Sequence, residues 1–158
     1  MAITLTTAMC NTFKKELLFG AHDLRAGEDD LYIGLFVAQA GGSGTYGAAT
    51  TNYSDVTGGS NDELPTASGY TIGGTALTNI TPTLDGSTAV ADFDTAEWGS
   101  SSLTSFGAFI FNTTPAASVT ANAMVCILAF GADKSSSSGT FQIVFPNADA
   151  SNAIIRVA

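Results

Sequence analysis

His22 is the only histidine of the 158-residue chain, and Asp23 follows it, so a base and an orienting carboxylate are present in type. Adjacent residues rarely face each other, and base catalysis also needs a nucleophile within hydrogen-bond reach. The many Ser and Thr lie in composition-biased stretches without the Gly-x-Ser-x-Gly elbow that would present one. His22 therefore reads as a polar residue just past a helix end, and no catalytic residue is assigned.

The carboxylates raise a glycosidase or a calcium reading. Asp92 and Asp94 are two apart with Glu97 near, and Glu28, Asp29 and Asp30 form a second group. A calcium loop of EF-hand type needs oxygen ligands at fixed offsets, a glycine at its sharp turn and a terminal glutamate. The stretch from Asp92 to Gly99 lacks that pattern, so Asp92 and Asp94 are expected at a solvated strand end. No metal and no cofactor is implied. The glycine-rich stretches Gly41 to Gly44 and Gly69 to Gly74 precede no lysine and open no expected helix, so they read as turns or bulges. Trp98 is either a sugar-stacking platform or, as befits a lone Trp at a strand margin, a core or lid residue.

Composition narrows the function classes. The net charge is −9, and from Ala26 to Asp133 there are eleven acidic residues and no Lys or Arg. Affinity for nucleic acid rests on cations displacing condensed counterions, so nucleic acid and anionic membrane are poor partners. Charged residues make up 12%, about half the globular norm of roughly 25%, while apolar residues reach 45%. A surface of hydroxyls and scattered carboxylates points to a protein that packs against other proteins. Cys10 and Cys126 are expected to behave as small hydrophobes, since two cysteines make no disulfide framework. The opening residues lack a basic leader with an apolar core, and no run of about 18 apolar residues occurs, so cytoplasmic synthesis without export is expected.

The elements expected from periodicity begin with an amphipathic helix over 7–19, with Met9, Phe13 and Leu17 at i, i+4 spacing and Gly20 to end it. A helix this short must dock on something. Strands follow at Leu31 to Ala38, Tyr70 to Ile72, Ala76 to Leu84, Thr88 to Phe93, Leu103 to Asn112, Ala123 to Phe130, Thr140 to Phe145 and Ile154 to Val157. Asp85-Gly86 is a hairpin signal, and the serine run 135–138 ending in Gly139 reads as a looser turn. Between Gly41 and Gly69 lies a long Gly/Ser/Thr-rich excursion. Regular strand spacing and few helices predict one mainly β domain over 1–158, an antiparallel β-sandwich with about eight strands, jelly-roll-like or immunoglobulin-like.

Several segments resemble a set of small virion proteins encoded by tailed bacteriophages. They are Lys14 to Gly27, Leu31 to Phe36, Ser68 to Leu77, Ala91 to Asp94 with Glu97 and Trp98, Gly107 to Asn112, Leu128 to Lys134, and Ala153 to Ala158. The resemblance implies a structural place in the particle, as a capsid decoration or cement protein bound to the major capsid protein, and it transfers no functional residue. A self-associated homotrimer on threefold or quasi-threefold positions is expected with it. Contact residues are expected at Met9, Phe13, Leu17 and Phe19 for a docking helix, and at Tyr46 and Tyr53 as anchors in the excursion, because tyrosine offers contact area at low rotamer entropy. A tail, collar or fibre-anchoring station and a glycan-binding role on the particle surface are the alternatives.

Overall fold

A computed structural model describes residues 2–67, 69–116 and 119–158 of the chain; Ser68, inside the excursion, lies outside them. In chain order the elements are β1 (Thr4–Leu5), β2 (Ala8–Met9), α1 (Asn11–Leu17), β3 (Leu31–Leu35), β4 (Thr45–Tyr46), α2 (Ser54–Thr57), β5 (Thr75–Ala76), β6 (Asn79–Asp85), β7 (Thr88–Phe93), β8 (Ala96–Asn112), β9 (Ala123–Ile143) and β10 (Ile155–Val157). The fold is mainly β with a short N-terminal helix. A five-stranded sheet runs β2-β9-β8-β3-β5, a three-stranded sheet runs β10-β7-β6, and β1 pairs with β4 in parallel.

The antiparallel pair β8 and β9 dominates. Its register shifts four times, so the two strands bend and twist along their length while staying paired from Ala96↔Ile143 to Asn112↔Ala123. The serine run expected to turn is instead strand: Ser135 and Ser136 lie opposite Thr104 and Leu103 inside β9. Cross-strand hydroxyl bonds hold it there, Thr104 to Ser135 at 2.8 Å and Ser101 to Ser136 at 2.7 Å.

Where turn chemistry is local, sequence and fold agree. Asp85 pairs with Thr88 across Gly86, whose φ of +60° suits the tight turn between β6 and β7. β3 alternates as expected, and Gly34 sits opposite Phe109. A Cβ at Gly34 would lie far inside van der Waals contact of the Phe109 ring edge, so the glycine is what lets that ring lie across the strand. Pro82 stands at the register irregularity of the edge strand β6, where a missing N–H costs no ladder bond.

Two expected elements differ. Tyr70 to Ile72 forms no strand beyond a bridge between Ala67 and Tyr70. The helix covers Asn11–Leu17 only, because Ala8 and Met9 are taken into the sheet opposite Ile127 and Cys126. One hydrophobic cluster joins the elements, with Phe13, Leu31, Ile33, Leu35, Phe36, Phe109, Ile110 and Met124 fully enclosed.

Candidate interaction surface

His22 is buried against Phe13, with ring centroids 4.7 Å apart. Both ring nitrogens are used: Nε2 lies 3.0 Å from Glu16 Oε2, and Nδ1 lies 2.9 Å from Asn112 Nδ2. The amide of Asn112 also donates to Asp29 Oδ2 at 2.6 Å, and Thr120 donates to Glu16 Oε1 through its amide and its hydroxyl. Burial pushes the Glu16 carboxyl up, but the bonds from Thr120 and His22 outweigh it and hold the group below the usual carboxylate range. With both nitrogens engaged, His22 is a fixed member of this buried network. Asp23 does not orient it, being bound instead to the exposed Arg25. The network clamps the end of α1 to β8 and to the β8–β9 connection.

The excursion is pinned in the same way. Asp62 and Glu63 are both buried. Asp62 accepts from the amides of Ser43 and Gly44 at 3.1 and 2.6 Å and from the Tyr46 hydroxyl at 3.0 Å. Glu63 accepts from Tyr70 at 2.7 Å, from the Gly73 amide at 2.7 Å and from Tyr53. Burial and these carboxylates push all three phenols well above the ordinary tyrosine range. Tyr46 is thus enclosed, and Tyr53 stacks on Phe111 with centroids 4.4 Å apart. The open hollow beside them, about 510 Å³ and lined by Thr6, Thr45, Thr50, Asp55 and Ser60, presents small polar groups, with Asp55 occupied by Thr51.

Asp92 departs from the expected solvated strand end: it is buried, accepts from the Phe93 and Ile154 amides, and ties the last segment to β7, whereas Asp94 is exposed. Trp98 lies in the core between Tyr70 and Phe141. Cys10 and Cys126 are buried free thiols, and burial pushes Cys10 up to about 12 and Cys126 further still. Among the described residues no cluster of metal-ligating side chains occurs.

Several large apolar side chains are left uncovered. Leu18 and Phe19, just past α1, are 88% and 67% exposed, Val157 of β10 is 59% exposed and Leu84 of β6 is 74% exposed. The register places Leu84, Ala89 and Val157 in one row across the three-stranded sheet. Beside that row Leu17, Leu24, Pro82 and Ile155 line a hollow of about 110 Å³, and a neighbouring one of about 400 Å³ is lined by Met9, Leu17, Leu18 and Val157 with Lys14 and Arg156. Lys15 Nζ sits 5.9 Å over the Phe19 ring. Two of the five cations, Lys14 and Arg156, border this face; Arg25 is held by Asp23 and Glu28, and Lys134 lies on β9.

The expected contact residues divide accordingly. Met9 and Leu17 reach the apolar face, joined by Leu18, Leu84 and Val157, which helical spacing alone did not single out, while Phe19 is exposed beneath Lys15 and lines neither hollow. Phe13 and Tyr46 are sealed in the core and unavailable to a partner, and Tyr53 is half-buried with its hydroxyl engaged. Compared with known proteins, the chain matches no family model, no curated protein and no solved structure at a significant level.

Proposed function

We propose that this protein is a structural component of a tailed-phage particle, a capsid decoration or cement protein that sits on the outer shell as a homotrimer and bridges major capsid protein subunits. The observation that carries the reading is the uncovered apolar face of Leu18, Leu84 and Val157 with Lys14 and Arg156 at its border. Contiguous apolar surface of this kind marks a protein contact. Binding to one state of a shell stabilises that state by mass action, and several weak contacts per particle add through avidity. A jelly-roll-like sandwich is the finer fold within this proposal, and the mainly β architecture with its two antiparallel sheets is what supports it.

The test is to count the protein in purified particles of the phage that encodes it and to locate its density. About one copy per major capsid subunit supports a cement role, whereas about a dozen copies per particle moves the protein to the tail or collar. Absence from the particle overturns the proposal.

A further inference from the structure

The five-stranded sheet ends on β2 and the three-stranded sheet on β10, and among the described residues neither has a strand on its outer side. Hydrogen-bond alternation fixes which main-chain groups this leaves over. Cys10 donates its amide to Val125, so in the register of Ala8 with Ile127 and Met9 with Cys126 the amide and carbonyl of Met9 point away from β9. On the other sheet Asp94 donates to Thr78, so along β7 Asp92 and Val90 bond β6, while Ala91 and Ala89 bond β10. Ala91 and Ala89 lie opposite Ile155 and Val157, which leaves the amide and carbonyl of Arg156 pointing outward.

These two residues come together. Met9 and Arg156 both line a hollow of about 360 Å³, with Thr7, Cys126, Asn152 and Ile154. Both also line the hollow of about 400 Å³ that holds Leu17, Leu18, Val157 and Lys14. The free edges of two sheets thus flank one groove. Its lining is mostly apolar, its charged side chains are Lys14 and Arg156, and no Asp or Glu side chain lines either hollow. Lys14 bonds Asn11 and Arg156 bonds the Ser151 carbonyl, and among the described residues neither forms an ion pair with a carboxylate. Asp149, close to Arg156 along the chain, is engaged by Ser151 and Asn152.

We propose that this groove takes up an extended segment of the shell protein as an added strand, bonding Met9 on one side and Arg156 on the other, so that the two sheets join through it. An edge of two or three residues templates a partner poorly by itself. Two edges facing one groove give an inserted chain main-chain partners on both sides. A helix would satisfy its own backbone groups and leave those of Met9 and Arg156 unmet. Apolar side chains of the segment pack on Met9, Leu17 and Ile154, and its Asp or Glu residues meet Lys14 and Arg156. This deepens the proposed function and rests on it for the source of the segment.

Peptides of about ten residues tiling the shell protein, added to the purified protein at low salt, test it. The expected result is one tile, apolar and acidic, whose binding slows exchange of the Met9 and Arg156 amides by about tenfold or more; both should exchange freely in the protein alone. Lys14→Glu should weaken that tile about tenfold, and Lys15→Glu, outside both hollows, should weaken it much less. Both lysines are exposed, so both variants should keep the thermal midpoint of the parent. The proposal is overturned if no tile binds, if a tile binds while both amides stay fast, or if the two variants lose affinity alike. Amides already protected in a self-associated parent would give the groove to a second copy and overturn it as well. The proposed function fails on a different measurement, absence from purified particles, so a chain present at cement copy number with no binding tile sinks this inference alone.

Discussion

Asp62 and Glu63 are consecutive and both buried, yet they serve opposite ends of the excursion: Asp62 holds Ser43, Gly44 and Tyr46, while Glu63 holds Tyr53, Tyr70 and Gly73. Among the described residues no cation pairs with either one. Each carboxylate is satisfied by backbone N–H groups and phenols, the arrangement that makes a buried anion tolerable. A glycine-rich stretch that composition reads as loose is therefore an ordered flap laid over β3 and β8.

Asp62→Asn is expected to cost about 2 kcal/mol or more, because an amide cannot accept all three bonds and turns a donor toward donors. Urea denaturation measures the loss, and limited proteolysis should show new cleavage within 41–67 under native conditions. A variant as stable and as resistant as the parent would show that the flap is held by packing alone.

Tyr70→Phe should destabilise more than Tyr46→Phe. The Tyr70 hydroxyl donates to Glu63 and also receives the buried Leu35 amide at 3.0 Å, so its removal strands two groups. Each unsatisfied buried group costs about 1–3 kcal/mol, and the two midpoints in denaturant should separate accordingly. Equal losses would argue that water replaces the hydroxyl.

Two buried carboxylates give opposite pH signatures. The folded-state pKa of Glu16 lies below its unfolded value, so its contribution is present above the ordinary glutamate range and is lost as pH falls through the folded value. Burial, opposed by amides of Phe93 and Ile154, holds Asp92 above the usual range, so the charged form weakens the fold once pH exceeds that raised value. Glu16→Gln should flatten the acid side of the stability curve, and Asp92→Asn should remove the fall in stability that Asp92 produces as pH rises from the ordinary aspartate range through its raised value. Thermal melts from pH 3 to pH 8 would check both, and an Asp92→Asn protein whose stability falls with pH as steeply as the parent's contradicts the assignment.

Gly34→Ala should cost about 2 kcal/mol or more, since the new methyl collides with the edge of the Phe109 ring and overpacking strains a filled core. Pairing it with Phe109→Leu should recover part of the loss, a coupling that a double-mutant cycle measures directly.

Neither cysteine should react with a thiol reagent in the folded protein at pH 8, because burial keeps both thiols protonated and shielded. Both should react on unfolding. Modification of Cys10 at the rate of a free thiol would show that the strand β2 opens readily.

Read alone, the sequence determined what local rules govern. Alternation between Leu31 and Leu35 produced a strand, and Asp85-Gly86 produced the turn between β6 and β7, because side-chain period and φ preference act within a few residues. Scarcity of cations was also plain from the sequence, and it restricts partners before any fold is known.

Tertiary structure decided the rest, wherever a distant residue outbid the local signal. Ser135 to Gly139 is strand because β8 supplies hydroxyls and ladder partners some thirty residues away, although its composition suits a turn. Met9 left the helix because Cys126 offered a sheet partner, and Tyr46 left the surface because Asp62 accepts its hydroxyl. A run of acids with no lysine among several tyrosines was the one hint of those carboxylate clamps. Which apolar residues remain uncovered, Leu18 and Val157 rather than Phe13, depends on how two sheets and one short helix meet, and no spacing rule within a single segment contains that information.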